Sequence, residues 1–315
     1  MLVRLVLVLL LVSNAWSQEW PQRPVRIIVP FPPGGAADAL PRIVADKLTA
    51  KRGQPFIIEN KPGATGSIGA EAVFRAEPDG YTLLATPPAP LVINPSLYAK
   101  LAYDPWQFVP VTVMASIPSV MLVPPRLAPN SVMEFIAFAR GNSAKLNYAS
   151  QGTTSVSFLT TEHFMALAGL KIAQVPYKGS GPALTALLAG EVDLFFDNLG
   201  TSLQHVRSGR LKALAVCGER RYPGLPDVPA MTEIFPGFVS VAWFGMVAPP
   251  NTPGTIAEGL SSSITEILKM QEVRDRFAAL SAEPIGMTPA QMAEFMRQDA
   301  MRWREAIRIA GVKPE

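Results

Sequence analysis

Two long apolar segments constrain this chain more than anything else in it: VTVMASIPSVMLVPP at Val111–Pro125 and FVSVAWFGMVAPP at Phe238–Pro250. Both exceed the five or six residues of an ordinary strand. Both end in Pro-Pro, which cannot donate to an interior sheet ladder. They bracket a complete set of shorter β and α patterns. A chain that leaves one sheet, builds a second and returns to the first needs two crossover strands, and these segments have the length for it. The alternative is a single large sheet.

The shorter elements agree with two open sheets. VRIIVP (Val25–Pro30) is a continuous β-branched run, the pattern of a strand buried on both faces. Leu40, Ile43, Val44 and Leu48 then recur at helical spacing. Pro41 predicts that this helix starts near Asp38, because proline is tolerated in a first turn. PFIIE (Pro55–Glu59) and GYTLLAT (Gly80–Thr86) are strands, and between them GATGSIGAEAVF predicts a helix from about Thr65. The grammar resumes with strands at LNYA, IAQVPY, VDLFF and LKALAV, with helices at Ser157–Gly169 and ALTALLAG. The C-terminal third reads as helices around Ile256–Met270, Val273–Leu280 and Pro289–Ile309. The last carries Met292, Phe295, Met296, Trp303 and Ile307 along one face. The expected fold is α/β and two-lobed, each lobe a doubly wound sheet flanked by helices, with the two crossover strands as hinge. Lobe 1 takes residues 18–119 plus 244–315, and lobe 2 takes residues 120–243.

The start of the chain points to export. Met1–Val12 carries one charge, Arg4, then eight consecutive apolar residues, and Ala15 and Ser17 form an A-x-S cleavage pattern. The run is short against the about 20 residues of a membrane span, so a secretory signal over residues 1–17, cut after Ser17, is expected. Cutting there removes one positive charge, so the formal charge goes from +3 to +2 (3 − 1). That leaves no polybasic footprint for nucleic acid. Cys217 is the one cysteine, which excludes an intrachain disulfide; it reads as a small apolar filler.

Chemistry concentrates at three strand-to-helix corners, PFPPGGAAD, NKPGATGS and ASQGTTS. Each places glycine and small residues where a helix leaves N–H groups unsatisfied and presents the positive end of its dipole. Such corners bind an anion without an arginine, and they lie at strand carboxyl ends, where open α/β sheets bind ligands. Competing signatures fail. Gly63, Gly66 and Gly69 lack dinucleotide spacing, and there is no P-loop and no G-x-S-x-G elbow. His163 and His205 lack metal spacing, and His163 reads as a solvated or capped structural residue. No metal, cofactor or catalytic residue is expected. Asp193 and Asp197 share a strand face; the favoured reading has Asp193 capping a turn and Asp197 ending the strand near the cleft. Tyr177 ends a strand and either packs in the core or meets a ligand.

RPVRIIVPFPPGGAAD, PFIIENKPGATGSIGAEAV, EPDGYTLLAT, KLNYASQGTTS, VPYKGSGPALTALLAGEVD and APPNTPGTI together resemble the Bug family of periplasmic solute-binding proteins, the receptors of tripartite tricarboxylate transporters. The resemblance spans nearly the whole chain after the signal. It implies a type II periplasmic-binding-protein fold, a monomer that captures a small mono-, di- or tricarboxylate and delivers it to membrane permease subunits. It implies that main-chain amides of the first two loops hold the carboxylate, here Phe31, Pro33, Gly34, Gly35, Ala36 and Asp38, with Gly63, Ala64, Thr65, Gly66 and Ser67. The rest of the ligand would meet Thr86, the loop Gln151, Gly152, Thr153, Thr154 and Ser155, and Tyr177, Ser180 and Asp197. Phe158 stands where the family usually has His, and Pro41 replaces a small helix former and removes one N–H from the opening turn. Both departures favour a more apolar acid, such as an aromatic carboxylate, over citrate. The alternatives are a periplasmic sensor presenting its acid to a signalling protein and, last, a hydrolase using Ser155.

Overall fold

A computed structural model describes residues 20–152, 155–309 and 311–312. The expected signal segment and two site candidates, Thr153 and Thr154, lie outside the described residues. The first part of the chain runs β1 (Val25–Val29), α1 (Ala36–Arg52), β2 (Phe56–Asn60), α2 (Ser67–Phe74), β3 (Thr82–Thr86), α3 (Asn94–Leu97) and β4 (Val109–Val123). The middle runs α4 (Val132–Asn142), β5 (Asn147–Ser150), α5 (Val156–Ala168), β6 (Ala173–Pro176), α6 (Ser180–Ala189), β7 (Leu194–Asn198), α7 (Leu199–Arg207) and β8 (Lys212–Val216). The return comprises β9 (Val241–Ala248), α8 (Gly254–Leu268), α9 (Gln271–Ala279), β10 (Glu283–Pro284) and α10 (Pro289–Ile309).

The strands form one hydrogen-bonded path, β2-β1-β3-β9-β4-β7-β5-β6, with β8 and β10 also on β4. The path has two parallel parts, β2-β1-β3 and β7-β5-β6. β4 belongs to both. Its residues Val109–Pro118 pair antiparallel with β9, and Ser119–Leu122 pair with β7. The change of partner at Pro118/Ser119 explains why the segment had to be long. At the same level Ser240 donates to the Cys217 carbonyl and accepts from the Ser119 amide, so β8 ends where β9 begins.

Burial follows the two-sided pattern of the strands. Val25, Ile27 and Val29 enter a core with Leu40, Val44 and Leu48 of α1 and Leu260 and Ile264 of α8. Ile28 enters the opposite core with Ala70 and Val73 of α2 and Met292 and Met296 of α10. A strand covered on both faces needs apolar side chains at consecutive positions. A third core lies around β5, β7, α4 and α5 in the middle of the chain. On α10, Asp299 is buried and accepts from the indoles of Trp243 (2.6 Å) and Trp303 (3.2 Å) and from Arg302 (2.7 Å). Burial raises its pKa against those bonds.

Two helix starts differ from expectation. α1 begins at Ala36, with Gly35 as N-cap, so Pro41 is its sixth residue and not part of the first turn. Its missing N–H therefore removes a bond to the Ala37 carbonyl and leaves the opening N–H groups untouched. α2 begins at Ser67 and not Thr65, because Gly63 through Gly66 all hold positive φ. Inside α2, a Cβ on Gly69 would sit 2.6 Å from Pro30 Cβ and 2.9 Å from the Lys61 carbonyl oxygen. Gly69→Ala is therefore expected to cost about 2 kcal/mol by overpacking; urea unfolding that shows no loss would refute the close approach.

Candidate functional site

The first corner follows β1. Gly34 has φ +96°, and Gly35 has φ −90° and ψ 173° and caps α1 with no side-chain bond. The amides of Asp38 and Ala39 turn back to the Gly35 carbonyl. Those of Gly35, Ala36 and Ala37 have no protein acceptor among the described residues. A Cβ on either glycine would meet nothing within 4 Å, so both face open space.

Asp38, on the list of expected ligand residues, has its carboxylate committed within the protein. It accepts from the Gly34 amide (3.2 Å), Arg42 Nε (3.0 Å) and Asn60 Nδ2 (2.8 Å). Burial raises its pKa, but Arg42, Asn60 and Gly34 outweigh that and hold it below the usual carboxylate range. Asn60 also donates to the Phe31 carbonyl (3.0 Å). The loop is thus pinned from beneath, and the charge of Arg42 is spent on Asp38. The open polar groups at this corner are main-chain N–H groups.

The second corner lies beside it. Gly63, Ala64, Thr65 and Gly66 have φ of 134°, 46°, 50° and 88°. Ala64 and Thr65 pay for this with left-handed strain of roughly 1–2 kcal/mol each. The glycines at 63, 66 and 69 each have their own reason. A Cβ on Gly63 would strike Ile68, one on Gly66 would strike Pro90 (2.6 Å) and the Phe31 ring (3.2 Å), and Gly69 admits the end of β1. The first two loops therefore touch at Gly66 and Phe31. α2 has no side-chain cap either, so two uncapped helix N-termini adjoin. Thr86, at the end of β3, is buried with its hydroxyl donated to the Pro87 carbonyl (3.1 Å).

The remaining expected residues gather around Asp197. Its carboxylate accepts from Gln151 Nε2 (2.9 Å), Ser180 Oγ (2.7 Å) and Thr201 Oγ1 (2.6 Å), with no cation against it among the described residues. Burial raises its pKa to about 6 against those bonds. Three strand ends, β5, β6 and β7, are thereby tied to one oxygen pair. Ser155 caps α5 through the Phe158 amide (3.2 Å), and its hydroxyl also donates to the Gly152 carbonyl. Gly179, with φ +105°, caps α6 without a side-chain bond. Tyr177 is half-buried against the large core, and its pKa is raised by burial and by Glu191. Asp193 is held by Arg126 (2.7 Å) and the Asn147 amide (2.9 Å), a structural role. His163 is half-buried and stacks on Phe238 at 4.9 Å. Cys217 is fully buried, and burial raises its pKa.

The residues thus form two clusters, one at the ends of β1, β2 and β3 and one at the ends of β5, β6 and β7. A cavity of about 360 Å³ between the loop Gly218–Tyr222 and β4, β9 and α10 contains none of the expected site residues.

A family model described as the tripartite tricarboxylate transporter family receptor matches residues 40–312. The chain belongs to this family. Its relatives include protein BugT of Bordetella pertussis, 37% identical over 94% of this chain and 92% of the relative. Among solved structures, Rpa4515 of R. palustris with adipate superposes with a TM-score of 0.86 at 34% identity, covering 94% of this chain and all of that one. The periplasmic binding protein BugD superposes at 0.83 with 33% identity, covering 94% and 100%. The Bug resemblance and the two-lobed binding-protein fold read from the sequence are therefore right, and the family is one of periplasmic binding proteins.

Sequence reading overlooked Asn60, Arg42, Asn94 and Thr201. Thr201 had a signal, since it lies four residues after Asp197 at the opening of α7. Arg42 had the same signal, lying four residues after Asp38 on α1; Asn60 had none, because it reaches Asp38 from the end of β2.

Proposed function

We propose that this receptor captures a small organic acid between two lobes in the periplasm and delivers it to tripartite tricarboxylate-type permease subunits. The carboxylate lies on the amides of Gly35, Ala36 and Ala37 and the loop Gly63–Ser67. The observation that carries this reading is the pair of adjoining helix N-termini, uncapped by any side chain, the first of them opening onto space. Hydrogen bonds to a charged group contribute about 1.5–3 kcal/mol each, so three or four account for most of the roughly 8 kcal/mol of micromolar binding. Thr86, the loop Gln151–Ser155, Tyr177, Ser180 and Asp197 meet the rest of the acid. The protein works as a monomer without enzymatic turnover, after a signal over residues 1–17 is removed.

The lobes we propose are 18–119 plus 244–315 and 120–243. The partner change at Pro118/Ser119 supports the first boundary. For the second, the junction at Ser240 and Val241 lies three residues upstream of 243/244. Thermal-shift titration with adipate, malate, citrate and benzoate should raise Tm for at least one acid, since a ligand of the folded state stabilises it. The matching neutral amide should give no shift; an equal shift with the amide would refute the carboxylate site.

A further inference from the structure

We infer that Asn94, a wholly buried residue opening α3, is a positioning residue that sets acid affinity by holding the second corner in its left-handed form. The inference rests on the proposed acid site and concerns what preorganises it. Asn94 is 0% exposed. Its one amide group donates both to the Thr65 carbonyl (3.2 Å) and to Ser67 Oγ (2.9 Å). Those two atoms flank Gly66, where the left-handed run ends and α2 begins. Tyr103 supports the same point: its hydroxyl lies 3.4 Å from Ser67 Oγ and donates to the Pro90 carbonyl (2.8 Å).

The energetics give this network a purpose. Two consecutive non-glycine residues at positive φ are a conformation that the chain leaves unless the surroundings over-determine it. The bond within the loop, from the Gly66 amide to the Gly63 carbonyl, closes the turn but does not orient it against the first corner. Asn94 supplies that orientation from the start of α3, where its buried amide donates to the Thr65 carbonyl. Ligand-facing amides held before binding cost no ordering when the acid arrives. Its Oδ1 has no protein partner, so the residue is retained for its two donors.

Asn94→Leu, close in volume, removes both donors. Hydrogen exchange of the full-length protein without ligand should then quicken at least tenfold at residues 63–67, while β1 and β3 keep their protection. Calorimetry with whichever of adipate, malate, citrate or benzoate binds the wild type should show Kd raised at least tenfold at a temperature where the variant is fully folded. Unchanged exchange at 63–67, or a Kd within twofold in folded Asn94→Leu, overturns the inference while leaving the acid site in place. If the wild type binds none of the four acids, the receptor reading itself fails.

Discussion

Gly35→Asp abolishes acid binding and leaves the protein slightly more stable; this is the largest effect we expect from any single substitution. Gly35 has backbone angles open to any residue, and a Cβ there meets nothing within 4 Å. Aspartate is among the best N-cap residues, accepting from amides of the first helical turn, whereas glycine offers no side chain. The new carboxylate would occupy the amide of Ala37 from within the chain, where a ligand carboxylate should lie, and would repel that ligand. Losing two or three charge-assisted bonds of about 1.5–3 kcal/mol each corresponds to roughly 10² to 10⁴-fold in Kd or more. The cap and the stiffer unfolded chain should add on the order of 0.5–1 kcal/mol of stability. Calorimetry and urea unfolding on the same sample decide the matter. Retained affinity would remove the first corner from the site. Gly34→Asp is a poorer probe, because φ +96° penalises any side chain there.

The second large effect belongs to Asp197. This carboxyl titrates near 3.8 when unfolded and at about 6 when folded, burial being the main cause. The folded state therefore holds its proton over a range where the unfolded state has lost it. Stability carried by this group is greatest at acid pH and is lost as pH rises through about 4 to 6. A difference of about two units amounts to roughly 3 kcal/mol. Other carboxylates pull the opposite way, Asp38 among them, with its pKa held low, so the comparison must be between variants. Wild type minus Asp197→Asn, measured by urea unfolding, should become more favourable by about 1.4 kcal/mol from pH 7.5 to pH 5. A flat difference would mean that Asp197 is better solvated than its surroundings indicate. The Asn variant should also weaken acid binding, since one amide cannot accept from Gln151, Ser180 and Thr201 together.

What could be read without coordinates depended on whether the cause was local. The alternation of strands and helices, the two crossover segments and the three glycine-bearing corners all follow from burial on two faces and from backbone freedom at glycine. Each is written in consecutive residues such as Val25–Val29 or Gly34–Gly35. The helix start at Ala36 escaped because Pro41 argues locally for a first turn, while the glycine pair and the packing of α1 carry the helix past it. Gly63–Gly66 escaped because a left-handed run at Ala64 and Thr65 is unfavourable in isolation and persists only where Asn94, 29 residues away from Thr65, ties it down.

The same division holds at the site. The sequence by itself determined that the glycine-bearing corners leave backbone N–H groups open, because helix termini leave those groups unsatisfied whatever surrounds them. Only the tertiary structure decided that Asn60 joins Asp38 under the loop, that Gly66 lets the two corners touch, and that Asp197 gathers three strand ends. A hydrogen bond between groups tens of residues apart is set by where the sheet places its strands, and no local pattern records that position.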